Sequence, residues 1–151
     1  MIKKKVLNNK TKLLPIASVD LLISVGNKYL LAKRNNFPAK NKYAFIGGII
    51  QKKETIINCC NRILKRELNV VTKNVLRLVT VKKFTFTNDF FGKRNLLEYV
   101  SIIYSLKLSK KEFNSIKLNN EHNNIILNTK NDIKKNKKVI NQIKELFKND
   151  L

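Results

Sequence analysis

The sequence lacks several features that define specialised protein classes. It has only two cysteines, Cys59 and Cys60, which are neighbours in a predicted helix and so cannot form an ordinary disulfide with each other. The apolar run near the N-terminus is too short for a signal peptide, and no stretch is long enough to span a membrane. We also find no internal repeat and no linker. We therefore expect buried or half-buried thiols in a reducing compartment, and a cytoplasmic protein.

Acidic residues are scarce as well. Ten Asp and Glu stand against 32 Lys and Arg, which gives a formal net charge of +22. A basic surface gathers phosphates. Lysine greatly outnumbers arginine, however, whereas nucleic-acid sites favour arginine, and no basic block is interleaved with aromatic residues. We therefore favour compositional drift and expect neither a nucleic-acid nor a membrane partner, although a positive field would help a nucleotide substrate to approach.

Length and hydrophobic content predict one folded domain. The chain has 151 residues, of which 43% are hydrophobic, enough to bury a core without disulfides or zinc. We assign residues 1–151 to a single domain and expect the basic segment 1–14 to be loose or to lie at an edge.

The hydrophobic periodicity predicts an α+β fold with a mixed sheet between helices. Gly26-Asn27 is a turn signal that joins two strands into a hairpin. Residues 109–131 read as polar and loop-like, with a short strand at 124–127. The predicted strands are 17–25, 28–34, 43–50, 75–86 and 96–108, and the predicted helices are 55–68, with Thr55 as N-cap and Asn69 as C-terminal stop, and 132–148.

The segment 47–70 has a spacing suited to phosphate and metal chemistry. A glycine-rich loop at Gly48 lets the backbone approach a phosphate or a metal closely. The helix that follows points its N-terminus toward anions, and glutamates one turn apart on it can hold a hard cation. Arg62 can pair with Glu54 and lock the loop to the helix. Taken alone, the segment also fits an ordinary amphipathic helix with chance charges.

This spacing resembles the Nudix signature. The departures are Ile63, Arg66 and Asn69, where the signature has Glu, Glu and Gly, so the resemblance implies one bound ion rather than two or three. The matching residues are Gly48, Glu54, Arg62, Leu64, Glu67 and Val70.

Within that superfamily, the chain resembles the GDP-mannose mannosyl hydrolases. The similarity runs from about residue 15 to about residue 127 and is carried by segments 15–23, 30–48, 51–55 and 119–124. It implies the Nudix fold, one Mg²⁺ with Mn²⁺ as a substitute, a nucleotide-sugar ligand and a homodimer. Three residues of that family are replaced here, by Ile46, Ile49 and Phe84.

The same resemblance implies roles for individual residues. The Gly47 carbonyl, Glu67 and Glu121 would ligate Mg²⁺, and His122 would be the general base, a task that suits an imidazole. The structural residues of the motif would be Gly48, Glu54 and Arg62. Arg34 would neutralise the departing diphosphate, and Asp20 and Tyr99 would lie near the nucleotide or leaving group. Considered singly, these side chains have other interpretations: His122 as a loop histidine, Arg34 as a solvated strand-end cation, Asp20 as a capped strand acid and Tyr99 as a half-buried sheet tyrosine.

The resemblance thus predicts a hydrolase that converts GDP-mannose, with GDP-glucose as a second substrate, to GDP and free sugar. Water would attack the anomeric carbon and invert its configuration. Two alternatives stay open. One is a conventional Nudix pyrophosphohydrolase, which would release a nucleoside monophosphate and a sugar phosphate, and the other is a decayed basic protein that binds nucleotides or RNA.

Overall fold

The computed structural model describes residues 14–119 and 122–149. The predicted loose segment 1–14 lies outside these ranges except for Leu14, which is exposed. Within them, seven strands form one sheet flanked by four helices. The strands are β1 (Ile16–Val25), β2 (Lys28–Arg34), β3 (Tyr43–Ala44), β4 (Ile46–Ile49), β5 (Arg77–Asn88), β6 (Arg94–Lys107) and β7 (His122–Asn128), and the helices are α1 (Ile56–Leu68), α2 (Lys110–Asn114), α3 (Lys130–Lys135) and α4 (Asn141–Asn149).

The strand β1 lies at the centre of the sheet and positions the functional residues. Along one edge, residues 18–21 of β1 pair antiparallel with β4. On the same edge, residues 24–25 of β1 pair antiparallel with β2 across the predicted hairpin turn. Along the other edge it runs parallel to β6, which pairs antiparallel with β5. Strands β3 and β7 both pair with β2. This mixed topology agrees with the prediction and sets Gly47 of β4 directly opposite Asp20 of β1.

Apolar side chains pack against both faces of the sheet. One cluster includes Cys60 and Ile63 of α1, both fully buried. The other includes Ile143 and Phe147 of α4, and the Phe147 ring meets the edge of the Tyr29 ring with centroids 4.9 Å apart. The sheet therefore lies between helices, as predicted. None of the helices within 14–119 and 122–149 combines the length and apolar character needed to cross a membrane.

Helix α1 begins and ends where its capping residues predict. The Thr55 side chain accepts a hydrogen bond from the Asn58 backbone N–H at 3.1 Å, which satisfies one of the unpaired donors of the first turn. Asn69 ends the helix in the left-handed conformation with φ of 54°. Cys59 and Cys60 are buried, and burial raises the pKa of their thiols to about 11 and about 12.

The prediction of one helix over 132–148 is wrong, because the structure has α3 and α4 separated by residues 136–140. A capping box at Thr129 and Asp132 starts α3 two residues earlier than predicted. The segment between the helices then pairs with β3: the Tyr43 N–H donates to the Lys138 carbonyl at 2.8 Å, and the Ile140 N–H donates to the Tyr43 carbonyl at 3.2 Å. Backbone pairing with a distant strand thus overrides the helical period.

Two other segments also differ from the prediction. The predicted strand 43–50 is split at Phe45, because β3 pairs with β2 whereas β4 pairs with β1. The segment 109–131 contains α2, which has a capping box between Ser109 and Glu112, and its strand β7 is longer than the predicted 124–127. The serine and glutamate three residues apart are a sequence signal for that helix start.

Candidate functional site

A cavity of about 440 Å³ lies where β1, β4 and β6 meet the loop 35–42, the β5–β6 hairpin and α1. Its wall combines cationic and aromatic side chains. Three arginines and one acid line it, together with six aromatic rings. These residues are Arg34, Arg62, Arg66 and Asp20, and Phe37, Phe45, Phe84, Phe86, Phe90 and Tyr99.

Asp20 is held in the cavity wall by its neighbours on two strands. Its carboxylate lies against the Cα of Gly47, where a Cβ atom would overlap it, so only glycine fits opposite this acid. The Ser101 hydroxyl of β6 donates a short hydrogen bond to the carboxylate. Burial raises the pKa of Asp20 to about 6, although Ser101 and the positive charge of Arg34 act in the opposite direction. Asp20 is thus a half-buried acid of the cavity wall whose pKa lies above the usual range of a carboxyl group.

Arg34 leaves the end of β2 and is fixed by the loop that follows. Its Nε donates to the Pro38 carbonyl at 2.8 Å, and the Arg34 backbone bonds to Lys42 and Asn41 across the loop. The guanidinium acts electrostatically on Asp20 and on Tyr99. Burial raises the pKa of Tyr99, so its phenol stays protonated and can donate a hydrogen bond. The structure thus groups Asp20, Arg34 and Tyr99 in the wall of one cavity.

The predicted lock between Glu54 and Arg62 is present. Arg62 Nε and Nη2 bind the two carboxylate oxygens at 2.9 and 2.6 Å, and Nη2 also donates to the Ile49 carbonyl at 3.0 Å. The Gln51 N–H donates to the same carboxylate at 2.6 Å. The hydrogen bond from Arg62 lowers the pKa of Glu54 to about 2. This forked pair ties α1 to the end of β4, the strand that carries the two glycines, and holds the loop between them.

Glu67 and His122 form a buried pair beside the cavity rather than in its wall. The His122 Nε2 lies 3.1 Å from Glu67 Oε2, and both side chains are almost completely shielded from solvent. Arg66 Nε donates to Glu67 Oε1 at 2.6 Å, and Arg66 itself lines the cavity. Burial alone would raise the pKa of Glu67, but its contacts with His122 and Arg66 outweigh burial and lower it. Among the described residues, His122 Nδ1 is buried without a hydrogen-bond partner.

The predicted site residues therefore fall into two groups. Asp20, Arg34 and Tyr99 line the cavity, and so do Gly47, Gly48 and Arg62. Glu67 and His122 lie behind Arg66, and Glu121 lies outside the described residues. The register pairs Arg34 of β2 with His122 of β7, which brings the two groups side by side.

Sequence reasoning missed some residues of the site. Ser101 was not singled out, although it lies two residues beyond Tyr99 on the same face of β6 and a strand alternates its faces with a period of two. Arg66 was noted only as a departure from the signature. Most of the aromatic wall was also missed, because it is assembled from separate strands and loops.

The described side chains do not fit a Nudix metal centre. Among residues 14–119 and 122–149, no group of three or more His, Cys, Asp and Glu side chains could hold an ion. Of the two predicted carboxylate ligands, only Glu67 is described, and its side chain is fully buried. The Arg66 guanidinium binds Glu67 Oε1, so a cation that belongs to the chain already occupies the space beside this carboxylate.

Comparisons with known proteins agree with this fold. The NUDIX domain model matches residues 14–147. The "Low-salt glycan biosynthesis protein Agl8" of Haloferax volcanii is 36% identical over 78 residues, which cover 52% of this chain and 50% of that protein. The "ADP-ribose pyrophosphatase" of Methanocaldococcus jannaschii is 36% identical over 74 residues, which cover 48% and 44%. The chain thus spans half or less of the length of these relatives.

A solved structure supports the same fold. The MutT protein from Methanosarcina mazei Go1 superposes with a TM-score of 0.73 at 18% identity, over 89% of this chain and 91% of that one. This similarity confirms the predicted mixed sheet with its flanking helices.

Proposed function

Because the chain belongs to the Nudix domain family, we propose that it hydrolyses a nucleoside diphosphate sugar, with GDP-mannose as substrate and GDP-glucose as a second one. The observation that carries the proposal is the cavity that combines guanidinium groups with aromatic rings. A nucleoside diphosphate has the matching parts, namely a planar base and two phosphates.

The cations of the cavity support a diphosphate ligand. The chain has five arginines among its 32 cationic residues, and three of the five line the cavity: Arg34, Arg62 and Arg66. None of the described residues in its wall is a lysine, although lysine dominates the rest of the chain. Compositional drift toward lysine would not concentrate three of the five arginines in one cavity. A guanidinium fork binds phosphate oxygens in pairs, which a lysine ammonium does not.

The aromatic part of the wall supports binding of the base and sugar. The Phe86 and Tyr99 rings pack edge to face with centroids 5.8 Å apart, and the nearby rings offer apolar faces. Phe84 replaces a family histidine and makes this wall more apolar. The protonated Tyr99 phenol and the Asp20 carboxyl are the polar groups there that can orient sugar hydroxyls.

The pair of Glu67 and His122 supports a general base. Glu67 Oε2 lies 3.1 Å from Nε2, and electrostatic attraction to this carboxylate favours the tautomer with the proton on Nε2, which leaves the lone pair of Nδ1 to accept a proton. The proposal assigns the attacking water to Nδ1. In the reaction the water oxygen bonds to the anomeric carbon, the bond from that carbon to the diphosphate oxygen breaks, and His122 takes the water proton. The GDP leaves with the bonding electrons, and Arg34 balances its charge.

Metal dependence stays a prediction. Nudix hydrolases generally use a divalent metal such as Mg²⁺, which supplies Lewis-acid stabilisation of phosphate charge when bound. The predicted ligands of the single Mg²⁺ are Gly47, Glu67 and the undescribed Glu121. Because the described side chains do not fit this centre, the proposed hydrolysis involves only residues of the chain.

A second candidate is a conventional Nudix pyrophosphohydrolase. The name of the relative from Methanocaldococcus jannaschii favours it. Ile63 and Arg66 argue against it, since they replace two of the carboxylates on which attack at phosphorus relies in the signature. The name of the Haloferax volcanii relative supports a role in sugar chemistry.

The test is to incubate the purified protein with GDP-mannose and identify the products by NMR. GDP with β-mannose as the first-formed sugar supports the proposal, whereas GMP with mannose 1-phosphate establishes the second candidate. His122→Gln should lower turnover by roughly two or more orders of magnitude, because a general base contributes about that much. Its melting temperature and GDP affinity serve as controls for folding, and turnover equal to that of the native chain would remove His122 from the mechanism.

The oligomeric state, the cellular location and RNA binding each have a separate test. We propose a homodimer, which sedimentation equilibrium measures, and a cytoplasmic location, which fractionation of cells measures. The RNA-binding alternative requires useful affinity for RNA together with a steep loss of that affinity as salt rises.

A further inference from the structure

We propose that the Arg66 guanidinium takes the electrostatic place of the divalent metal, so that this cavity binds a nucleoside diphosphate without a metal ion. The inference rests on the proposed function for the identity of its ligand. It starts from the disagreement between the described side chains and a Nudix metal centre.

The first step concerns charge. Relative to the Nudix signature, α1 replaces two glutamates by Ile63 and Arg66, which removes two negative charges and adds one positive charge. The net change is three units of positive charge, whereas one Mg²⁺ ion supplies two. Three guanidinium groups and the Asp20 carboxyl group line the cavity, and the carboxylates of Glu54 and Glu67 bind Arg62 and Arg66 from outside the lining. Because each guanidinium keeps further N–H donors, the wall can bind a diphosphate without an added cation.

The second step concerns position. The guanidinium of Arg66 lies close to Gly48: a Cβ atom on Gly48 would be 3.4 Å from Arg66 Nη2 and 3.2 Å from Ile63 Cγ1. The resemblance assigns the metal to the carbonyl of the adjacent Gly47 and to Glu67. Arg66 binds Glu67 and also lines the cavity, so it lies between the same carboxylate and the ligand space.

The third step separates this role from an ordinary surface ion pair. Glu67 is fully buried, whereas the Arg66 side chain is 41% exposed. An ion pair on the surface contributes little, but a buried carboxylate requires a fixed cation. A guanidinium has five N–H donors, enough to hold Glu67 and to donate to phosphate oxygens as well. Glu67 thus acts as the anchor that orients Arg66 toward the cavity.

The experiment is calorimetric titration of GDP into the native chain and three variants, each in EDTA and in Mg²⁺. Arg66→Met removes the guanidinium, Glu67→Gln removes the predicted metal ligand, and Arg77→Met is the matched control, an exposed arginine outside the cavity. Because Arg66→Met alone leaves Glu67 without its cation, the double variant Arg66→Met with Glu67→Gln is measured too.

We expect the native chain to bind GDP in EDTA with a Kd within about threefold of that in Mg²⁺. Arg66→Met and the double variant should weaken binding in EDTA by about 10–100-fold, as the loss of a charge-assisted hydrogen bond implies. Glu67→Gln loosens the anchor of Arg66 and should weaken GDP binding to the same extent in EDTA and in Mg²⁺. Arg77→Met should change the Kd by less than about twofold, because an exposed arginine outside the cavity contributes little.

Four results would overturn the inference. If the native chain binds GDP only with Mg²⁺, or if Glu67→Gln abolishes binding in Mg²⁺ but not in EDTA, the cavity uses a metal ion. Either result would leave the proposed function intact. Unchanged binding in Arg66→Met would exclude the guanidinium in the same way. Failure of the native chain to bind GDP in both conditions would overturn the proposed function together with this inference.

Discussion

Replacement of Gly47 by alanine tests the contact between β1 and β4 on which the cavity wall depends. The new Cβ atom would overlap the Asp20 carboxylate and lie 2.8 Å from the Val19 carbonyl oxygen. The carboxylate is held by the Ser101 hydroxyl, and the carbonyl belongs to the central strand, so neither atom moves easily. The substitution should therefore destabilise the fold.

The magnitude follows from two opposing terms. Overpacking of a filled interior costs about 1–3 kcal/mol. Alanine also restricts the unfolded chain, which returns about 0.4–1 kcal/mol where the backbone conformation suits it. The net loss should be about 1–2 kcal/mol, or about 2–8 °C in melting temperature for a domain of this size. In Gly48→Ala, the matched control, the nearest atoms belong to the ends of the Ile63 and Arg66 side chains, so its loss should be smaller.

Urea unfolding followed by far-UV circular dichroism measures these losses, since the chain contains no tryptophan for fluorescence. The same substitution is then made in an Asp20→Ala background, where the overlapping carboxylate is gone. Gly47→Ala should cost at least about 0.5 kcal/mol less there, as expected for residues in contact. An equal cost in both backgrounds, or a loss no larger than that of Gly48→Ala, would refute the reasoning.

Two further predictions concern other parts of the structure. Because Arg62 lowers the pKa of Glu54 from 4.5 to about 2, the ionised carboxylate stabilises the fold above about pH 5, and this contribution is lost as pH falls toward 2. In urea unfolding, Glu54→Gln should therefore be less stable than the native chain at pH 7 and approach it toward pH 2, with Glu145→Gln as the control; a stability gap independent of pH would argue against the pair. Cys59 and Cys60 are buried and have raised pKa values, so a thiol reagent at pH 8 should modify them slowly in the folded protein and at once in denaturant. Rapid modification of the folded protein would contradict their burial.

Features of the fold that depend on neighbouring residues could be predicted from the sequence. The bounds of α1 follow from Thr55 and Asn69, which cap it through contacts within a few residues. The β1–β2 hairpin follows from its glycine turn in the same way. The sandwich of a mixed sheet between helices follows from the order of the elements.

Features that depend on distant pairing could not be predicted. The break between α3 and α4 exists because residues 138–140 bond to Tyr43, almost one hundred residues away. The burial of His122 follows from the pairing of β7 with β2 and from its contact with Glu67. For the same reason, the sequence showed that Arg66 departs from the signature but not that it binds Glu67 and lines the cavity.

The most direct test of the central claim is hydrolysis of GDP-mannose in water labelled with ¹⁸O, with the label located by mass spectrometry. Attack at the anomeric carbon predicts that the label appears in mannose and is absent from GDP. Label in a phosphate group, with GMP among the products, would contradict the account, because the chain would then break a bond at phosphorus.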